Sequence, residues 1–300
     1  MEPQDTVVGF VGLGTMGSAL SAHLLAAGCE VDGYDIDPAR LADHAGRGGA
    51  AAASPAGTAA RAGIVVTSLP TAAALIDVTT GAAGLAASPG PGLVVIETST
   101  LPLAVKRQAR DALAGHGIVL LDCPLSGTGG QALTKDVVAY LSGPAEAKAR
   151  ALPVLAAMTR GVHDVGEFGN GSAVKFIANL LVAIHNVAAA EALVLAEQAG
   201  LDLATVLTAV ADGAGSSDMF EVRGPAMAAG DYSGPGVTTT VFDKDLQIIA
   251  GFARETGTPT PLFTMATSFY TAALAQGHAD DDTACVHAVL RSMAGRSPGC

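Results

Sequence analysis

Three polar residues in an otherwise apolar stretch, Lys175, Asn179 and Asn186, are the side chains best suited to act on a small substrate. The stretch from Gly169 to Gln198 is dominated by strong helix formers, so it predicts one long helix with Ser172 as its N-cap. At about 100° per residue, the spacing of the three residues puts them on one narrow stripe. Because apolar residues fill the other faces, we expect the helix to be buried on several sides and the stripe to face a cleft.

Lys175 is the candidate for proton transfer. Burial disfavours the charged ammonium and lowers the pKa of a lysine toward the range where it exchanges protons near neutral pH. The alternative for this stretch alone is a lysine whose ammonium reaches solvent near the first turn of the helix. The chain has only five lysines, which favours a functional interpretation of one inside an apolar helix.

A glycine motif near the start of the chain points to a nucleotide. The run from Thr6 to Val11 predicts a strand, and it leads into Gly12-Leu13-Gly14-Thr15-Met16-Gly17 and then a helical pattern. Between a strand and a helix, the spacing G-x-G-x-x-G gives a tight turn, close approach of backbone amides to a pyrophosphate and close packing of the helix on the strand. The helix dipole favours the phosphate charge. We therefore predict a dinucleotide site at these six residues.

The carboxylate of Asp35 indicates which dinucleotide is bound. It follows a second predicted strand, Glu30 to Tyr34, at the place where a carboxylate accepts hydrogen bonds from the adenosine ribose hydroxyls. A 2′-phosphate would be repelled there, and the nearest following arginine is Arg40. NAD is therefore favoured over NADP.

Alternation of strands and helices predicts an α/β domain with a parallel, doubly wound sheet of the Rossmann type. In such a sheet, ligands bind beyond the carboxyl ends of the strands. Two of these ends, Ser68-Leu69-Pro70 and Thr98-Ser99-Thr100, could contact the nicotinamide half of the cofactor, although ordinary turns fit them equally well. The further predicted strands are Ile64 to Ser68, Leu93 to Thr98, Ile118 to Leu121, Val137 to Leu141 and Val162 to Val165.

A third strand end is followed by Ser126-Gly127-Thr128-Gly129-Gly130, where hydroxyls and unencumbered amides could hold a carboxylate. Beyond residue 167 the pattern becomes helical throughout. We therefore predict a dinucleotide-binding domain over residues 1–167 and an all-α substrate and oligomerisation domain over residues 168–300, which begins with the long helix. The predicted later helices are Asp202 to Val210, Met219 to Ala229, Val241 to Thr256, Leu262 to Gln276 and Asp281 to Met293, the last with acidic residues at its start.

Composition excludes several classes of protein. A chain of 300 residues with 50% hydrophobic and 15% charged residues is globular rather than disordered. A net charge of -12 makes nucleic acid or an anionic membrane an unfavourable partner. The uncharged part of the long helix is interrupted by polar residues and is too short for a membrane span.

Cysteines at 29, 123, 285 and 300 lack paired spacing, which indicates reduced thiols and neither disulfide nor metal site. Without a signal peptide, we expect a cytoplasmic protein.

Four motifs in order resemble the β-hydroxyacid dehydrogenase family, which includes 3-hydroxyisobutyrate dehydrogenase and is related to 6-phosphogluconate dehydrogenase. The similarity spans essentially the whole chain. The motifs are residues 9–17 (GFVGLGTMG), residues 122–127 (DCPLSG) with Ala132, residues 171–175 (GSAVK) with Asn179, and residues 242–246 (FDKDL).

The resemblance implies a Rossmann domain, an interdomain helix and a helical domain that builds homodimers or homotetramers. It implies that Lys175 is the general acid/base and takes the hydroxyl proton while hydride leaves the same carbon for the nicotinamide. It assigns Asn179 and Ser126-Gly127 to substrate binding. Thr128, which follows in the same loop, is a further predicted substrate residue. The resemblance assigns four residues to the cofactor: Leu69, Pro70, Thr100 and Lys244.

Departures from the family pattern narrow the range of reactions that this chain is expected to catalyse. 6-Phosphogluconate dehydrogenases carry His and Glu where this chain has Ala178 and Val182, which disfavours oxidative decarboxylation. Imine reductases of the family usually replace the lysine with Asp or Tyr, so Lys175 argues against that activity. The loop after Gly127 and the segment 216–220 also differ from 3-hydroxyisobutyrate enzymes, which allows a more polar substrate such as threonate or a larger aromatic one.

The leading hypothesis is therefore an NAD-dependent dehydrogenase of a small 3-hydroxy acid. Within the enzymes, the alternative is an NADPH-dependent semialdehyde or imine reductase. A catalytically silent cofactor-binding sensor is less favoured, because a sensor does not need a lysine and an asparagine facing a cleft.

Overall fold

The computed structural model describes residues 7–87, 92–234 and 236–295. The chain forms two compact units, Met1–Lys175 and Phe176–Cys300. Thr6, predicted to open the first strand, and Cys300, predicted to be a reduced thiol, lie outside the described residues. The predicted domain boundary after residue 167 stays a prediction.

A six-stranded parallel sheet organises the first unit and confirms the predicted fold class. Its strand order is β3-β2-β1-β4-β5-β6, with β1 paired to both β2 and β4. The chain winds outward from β1 in two directions, so a crevice opens at the carboxyl ends of β1 and β4. The strands are β1 (Val7–Val11), β2 (Glu30–Tyr34), β3 (Ala50–Ala51), β4 (Ile64–Thr67), β5 (Val94–Glu97) and β6 (Val119–Asp122).

Alternating side chains of the central strands build a core on each face of this sheet. Phe10 and Val66 belong to one buried cluster, whereas Val11 and Val65 belong to another. Neighbouring residues of a strand point to opposite faces, so helices must cover both. The helices of this unit are α1 (Thr15–Ala26), α2 (Pro38–Gly46), α3 (Pro55–Ala59), α4 (Ala72–Thr80), α5 (Leu103–Ala114), α6 (Gly129–Leu133) and α7 (Ala145–Met158).

Two strands predicted to continue the parallel sheet form a separate small sheet instead. It has the order β7-β8-β9, with β7 (Leu125–Ser126) antiparallel to β8 (Val138–Leu141) and β8 parallel to β9 (Gly161–Asp164). A parallel neighbour requires a crossover of a dozen or more residues. Residues 123–137, between β6 and β8, form β7 and the five-residue helix α6 and so supply no crossover helix, and β8 pairs antiparallel with β7 instead.

The long helix α8 (Asn170–Gln198) corrects three expectations. Ser172 lies inside its first turn and is not the N-cap. Not every apolar face that was expected to pack is buried, because Ile177 is 58% exposed and Leu181 45% exposed. The side chain of Asn186 does not face a cleft: it is fully buried and hydrogen-bonded within the second unit.

By length and apolar composition, α8 is the one helix within residues 7–87, 92–234 and 236–295 that could cross a membrane. Its polar residues argue against that role. Asn179 and Asn186 are buried and donate hydrogen bonds to side chains of other helices of the second unit. A helix held in this way is a core element of a globular unit.

The second unit is helical throughout its described residues, as expected. The last predicted helix begins later than Asp281, since a short 3-10 turn at Thr283–Cys285 precedes it and Asp282 caps that turn by accepting a hydrogen bond from the amide of Ala284. After α8, the helices of this unit are α9 (Leu203–Ala211), α10 (Asp218–Ala229), α11 (Thr239–Glu255), α12 (Pro261–Ala275) and α13 (Val286–Met293).

The cysteines of the described part of the chain, Cys29, Cys123 and Cys285, are all buried and free of disulfides. Burial raises the pKa of each thiol, to about 11 for Cys285. These three thiols are therefore overwhelmingly protonated at neutral pH.

Candidate active site

The glycine turn after β1 has the conformation that a dinucleotide site requires. Gly12 adopts a φ of +91°, which an L side chain rarely adopts, and a Cβ there would collide with the carbonyl oxygen of Ser68. A Cβ at Gly17 would collide with the carbonyl oxygen of Gly12. The first glycine thus allows the tight turn, and the third allows the close packing of α1 against the turn.

Gly14 lies at the point where a pyrophosphate would approach. A Cβ at Gly14 would meet only a guanidinium nitrogen of Arg40, at 3.4 Å, so the turn is open on this side. Gly14 is the N-cap of α1, and no side chain caps the helix. Backbone amides at an uncapped helix N-terminus are a natural anion site. The residues present therefore fit a dinucleotide phosphate.

Asp35 directly follows β2 beside this turn, with only 6% of its side chain exposed. Its Oδ2 accepts a hydrogen bond from the amide of Leu13 at 2.7 Å, and its Oδ1 accepts one from the amide of Asp37 at 2.8 Å. Arg40 places Nη1 3.9 Å from Asp35 Oδ2. The carboxylate is thus fixed against the glycine turn, and an arginine stands next to it, which distance along the sequence did not indicate.

The strand ends after β4 and β5 are tied to each other. The amide of Leu69 donates a hydrogen bond to Oγ of Ser99 at 2.7 Å, and Thr98 Oγ1 donates to the carbonyl oxygen of Thr67 at 2.7 Å. Leu69 and Thr100 are half-buried and the adjoining Pro70 is exposed. The structure therefore brings the two predicted nicotinamide segments together at one edge of the sheet.

The loop predicted to hold a carboxylate is more ordered than a glycine-rich loop suggests. Ser126 lies in β7, and Gly127 adopts a φ of +143°. Thr128 forms a capping box with Gln131: its hydroxyl accepts from the amide of Gln131, and its own amide donates to Gln131 Oε1. The Thr128 amide is thus engaged at the start of α6, whereas its hydroxyl only accepts a hydrogen bond there and keeps its own hydrogen for donation.

The same loop packs on α1. A Cβ at Gly129 would lie 2.6 Å from Cγ2 of Thr15, and Nε2 of His23 donates a hydrogen bond to the carbonyl oxygen of Ala132 at 2.8 Å. The glycine turn and the predicted substrate loop are therefore neighbours in the first unit. His23 gave no signal in the sequence, because a single histidine within a helix has no distinctive spacing.

On α8, the predicted general base and its companion asparagine lie one turn apart. Lys175, the last residue of the first unit, is 8% exposed, and Asn179 is 6% exposed. In the second unit, Asn179 Nδ2 donates to Asp245 Oδ2 at 3.0 Å, and Nζ of Lys244 lies 3.2 Å from Asp245 Oδ1. Asp245 thus connects a predicted substrate residue to a predicted cofactor residue.

Asn186, the third member of the predicted stripe, has a structural role. Its Nδ2 donates to the hydroxyl of Tyr270 at 3.1 Å and to the carbonyl oxygen of Thr283 at 2.7 Å. Spacing along the helix could not reveal this, because both partners come from distant parts of the sequence. Over residues 7–87, 92–234 and 236–295, no group of three or more His, Cys, Asp or Glu residues is arranged to hold a metal ion.

The glycine turn, the fixed carboxylate and the buried lysine define a dinucleotide-dependent oxidoreductase. Residues 7–166 match the family model for the NAD-binding domain of 6-phosphogluconate dehydrogenase, and residues 169–290 match the model described as NAD-binding of NADP-dependent 3-hydroxyisobutyrate dehydrogenase. The chain belongs to the β-hydroxyacid dehydrogenase family and is an enzyme that acts on CH-OH groups.

Individual relatives agree with that assignment. L-threonate dehydrogenase of Cupriavidus necator is 37% identical over 93% of this chain and 94% of its own. The structure of 3-hydroxyisobutyrate dehydrogenase from Salmonella typhimurium has a TM-score of 0.84 at 33% identity and covers 95% of this chain and all of its own. The structure of Mycobacterium tuberculosis 3-hydroxyisobutyrate dehydrogenase with L-serine has a TM-score of 0.87 at 31% identity. The match covers 95% of this chain and 99% of that one.

Proposed function

We propose that this enzyme oxidises the hydroxyl-bearing carbon of a small, polar 3-hydroxy acid of the threonate type, with NAD as the hydride acceptor. The observation that carries the proposal is the buried Lys175, one helical turn from the buried Asn179 on α8. Two polar side chains at this spacing can address one substrate hydroxyl. The similarity to L-threonate dehydrogenase over 93% of the chain supports a polar substrate.

In the proposed reaction, Nζ of Lys175 accepts the proton of the substrate hydroxyl as the C–H bond of the same carbon breaks. The bound nicotinamide supplies the acceptor for the hydride. Asn179 orients the substrate through its side-chain amide, whose direction Asp245 fixes. Ser126, Gly127 and Thr128 hold the carboxylate and so determine which carbon is presented.

We assign the cofactor contacts to the first unit and to one residue of the second. The backbone from Gly12 to Gly17 takes the pyrophosphate, and Asp35 takes the adenosine ribose. Leu69, Pro70 and Thr100 border the nicotinamide, and Lys244 contributes its charge. The carboxylate fixed at the end of β2 supports NAD over NADP, since it repels a 2′-phosphate.

NADP, used by a semialdehyde reductase of the same family, is the second candidate. One observation favours it: Arg40 Nη1 lies 3.9 Å from Oδ2 of Asp35, so a cation stands beside the carboxylate assigned to the adenosine ribose. Asp35→Asn keeps one acceptor oxygen and removes the repulsion, whereas Arg40→Ala removes the attraction. If NAD is the native cofactor, wild type prefers NAD in kcat/KM, and Asp35→Asn reduces that preference by about 10-fold or more.

The test of the reaction is cofactor reduction with a panel of acids: threonate, 3-hydroxyisobutyrate, serine, glycerate and phenylserine. Lys175→Met should lower kcat by about 10² to 10⁴ while cofactor still binds. Lys148→Met is the matched control, because this buried lysine of the first unit pairs with the exposed Asp164 and has no part in the proposed reaction. Activity that survives Lys175→Met would overturn the mechanism. Tight cofactor binding without turnover of any acid would indicate a sensor.

We also propose a cytoplasmic homodimer or homotetramer. Two apolar side chains one turn apart on α12 of the second unit form an exposed patch, Leu262 at 69% and Met265 at 65%. Contiguous exposed apolar surface usually marks a protein interface. Light scattering after size exclusion measures the oligomer directly, and a monomer at micromolar concentration would contradict this proposal.

A further inference from the structure

Three charged side chains that the proposed chemistry does not use are completely buried in the first unit. Lys106 on α5 places Nζ 2.6 Å from Glu97 Oε2 at the end of β5 and 2.8 Å from Asp122 Oδ1 at the end of β6, and all three side chains are 0% exposed. Burial by itself lowers the pKa of Lys106, but the two carboxylates outweigh it, so the pKa is raised and the lysine stays charged. Two carboxylates and one ammonium leave one formal negative charge.

That negative charge is directed at the start of α8. Asp122 Oδ2 accepts a hydrogen bond from the amide of Ser172 at 2.7 Å, and Asp122 Oδ1 accepts one from its hydroxyl, also at 2.7 Å. Ser142 Oγ accepts a hydrogen bond from the amide of Gly171 at 3.0 Å and donates one to the carbonyl oxygen of Asp122 at 2.9 Å. Asp122 and Ser142 thus satisfy amides that the first turn of a helix leaves unpaired, and the charge matches the positive end of the helix dipole.

The helix start is also fixed in position by contact. A Cβ at Gly171 would lie 2.5 Å from the carbonyl oxygen of Tyr140 and 2.7 Å from that of Asp122. Only glycine allows α8 to approach the ends of the two sheets this closely. The first turn can therefore neither slide along its axis nor rotate without breaking the bonds of Ser172.

Lys175 follows Ser172 by three residues, so its Cα lies almost one turn further on the same helix. Fixing the position of Ser172 fixes the direction in which the Lys175 side chain leaves the helix. The cluster also reaches the predicted nicotinamide segments, because Glu97 Oε1 accepts a hydrogen bond from the amide of Ser99 at 3.0 Å. One buried cluster thus connects the segment around Leu69 and Ser99 with the helix that carries the lysine.

We propose that Asp122 is a positioning residue for Lys175: it caps α8 from β6 through Ser172, and the Glu97–Lys106 ion pair holds it in place. This inference rests on the proposed role of Lys175 as the general base. A buried trio of charges is a weak source of stability, because desolvation offsets most of the attraction between its members. Directional hydrogen bonds to one helix turn are a role that apolar side chains of the same volume cannot fill.

The kinetic test compares two variants. In Asp122→Asn, an NH2 group replaces one carboxylate oxygen. This hydrogen-bond donor then faces another donor, either Nζ of Lys106 or the backbone amide of Ser172. Ser172→Ala removes only the hydroxyl bond and leaves the charged trio intact. We expect kcat for the acid to fall about 10-fold to 100-fold in Asp122→Asn and less in Ser172→Ala, while the dissociation constant of the cofactor stays within about twofold. Wild-type kcat in both folded variants would overturn the proposal.

A control separates positioning from loss of stability. Thr79→Ala removes another buried hydroxyl of the first unit, one that donates to the carbonyl oxygen of Leu75 within α4. It should lower stability but leave kcat unchanged. If kcat falls equally in Thr79→Ala, or if the loss in Asp122→Asn is a loss of cofactor affinity, Asp122 acts on stability or on the cofactor site alone and the proposal is wrong.

A third measurement does not depend on turnover. Amide hydrogen exchange over residues 169–178 and the rate at which acetic anhydride acetylates Lys175, both followed by mass spectrometry, should rise in Asp122→Asn relative to wild type and Thr79→Ala. If wild type turns over none of the acids, the proposed function fails, and these two rates still decide whether Asp122 fixes Lys175. Unchanged rates would overturn the inference even in an active enzyme.

Discussion

Asn179 donates its side-chain amide to Asp245 Oδ2 at 3.0 Å, so the asparagine assigned to the substrate is oriented by a residue of α11. The opposite oxygen of Asp245 faces Nζ of Lys244 at 3.2 Å. One buried carboxylate therefore orients two side chains, one assigned to the substrate and the other to the cofactor. Replacing Asn179 should therefore change the kinetics in a different way from replacing Asp245.

Asn179→Ala should raise KM for the acid by about 10-fold, which corresponds to one lost hydrogen bond of roughly 1.4 kcal/mol, and leave cofactor affinity unchanged. Asp245→Ala should weaken the binding of both the acid and the cofactor, because Asn179 and Lys244 each lose their contact with Asp245. Steady-state kinetics together with direct titration of NADH fluorescence measure the two effects. Equal loss of cofactor affinity in both variants would contradict the division of roles.

Substitutions at two glycines of the cofactor turn should separate binding from folding. Gly14→Ala meets only the movable Arg40 side chain, so the variant should fold with a nearly unchanged Tm but bind NADH at least about 10-fold more weakly, since its methyl group occupies the phosphate approach. Gly17→Ala collides with the backbone of Gly12 and should lower Tm by several degrees or prevent folding. Thermal unfolding and NADH titration of both variants check this. Weak binding by Gly17→Ala at an unchanged Tm would show that the close contact is not required for folding.

Buried His287 should make the protein less stable in mild acid. Burial, with a smaller contribution from Arg291, lowers the pKa of this histidine from 6.5 to about 4. Between these values the unfolded chain takes up the proton and the folded chain does not, so the free energy of unfolding falls as the pH drops from 6.5 toward 4, by on the order of 3 kcal/mol at most. Above pH 6.5 this group contributes no pH dependence.

Denaturant unfolding at pH 7 and pH 5 measures this effect. His287→Asn retains a polar group near Tyr232, which is hydrogen-bonded to Nδ1 of the wild-type ring at 3.1 Å. The variant should be less stable at both pH values, with a smaller difference between them. His44, whose pKa burial also lowers, leaves a residual pH dependence in the variant. An undiminished difference would assign the acid sensitivity to other groups.

Removing Lys106 should be far more damaging than removing Lys148, although each pairs with an aspartate of the first unit. Lys106→Met leaves Glu97 and Asp122 buried side by side without a cation, which costs about 3–5 kcal/mol. Lys148→Met releases Asp164, whose side chain is 58% exposed and is solvated once free, so we expect a loss below about 1 kcal/mol. Urea unfolding of both variants at neutral pH measures the difference. Similar losses would mean that water reaches the buried cluster.

Local sequence signals located most of the fold. The boundaries of β2 coincide with those predicted, Glu30 to Tyr34, because the alternation that marks a strand acts over a few residues. The glycine turn was recognisable for the same reason. The small sheet was not, since the pairing of β8 with β7 and β9 depends on the missing crossover rather than on the composition of β8.

The residues that sequence reasoning missed are held by partners far away along the chain. Ser172 was expected to cap its own helix, but the cap comes from Asp122, fifty residues earlier. Lys106 stands in a helix of mixed polarity and gives no local sign that it meets two carboxylates in the core. Asn186 was predicted to face a cleft with Lys175, but its side chain is held by Tyr270 and Thr283 within the second unit. Periodicity predicts a direction, not a partner.

The reactivity of the buried cysteines reports local opening of the folded protein. A thiol reagent attacks the thiolate, and at Cys29, Cys123 and Cys285 the side chain is both shielded and protonated. Cys29 follows α1, Cys123 follows β6 next to Asp122, and Cys285 lies in the turn before α13. Peptide mass spectrometry in native buffer can measure the alkylation rate of each cysteine. Each rate therefore reports how often a different part of the molecule opens, without any engineered label.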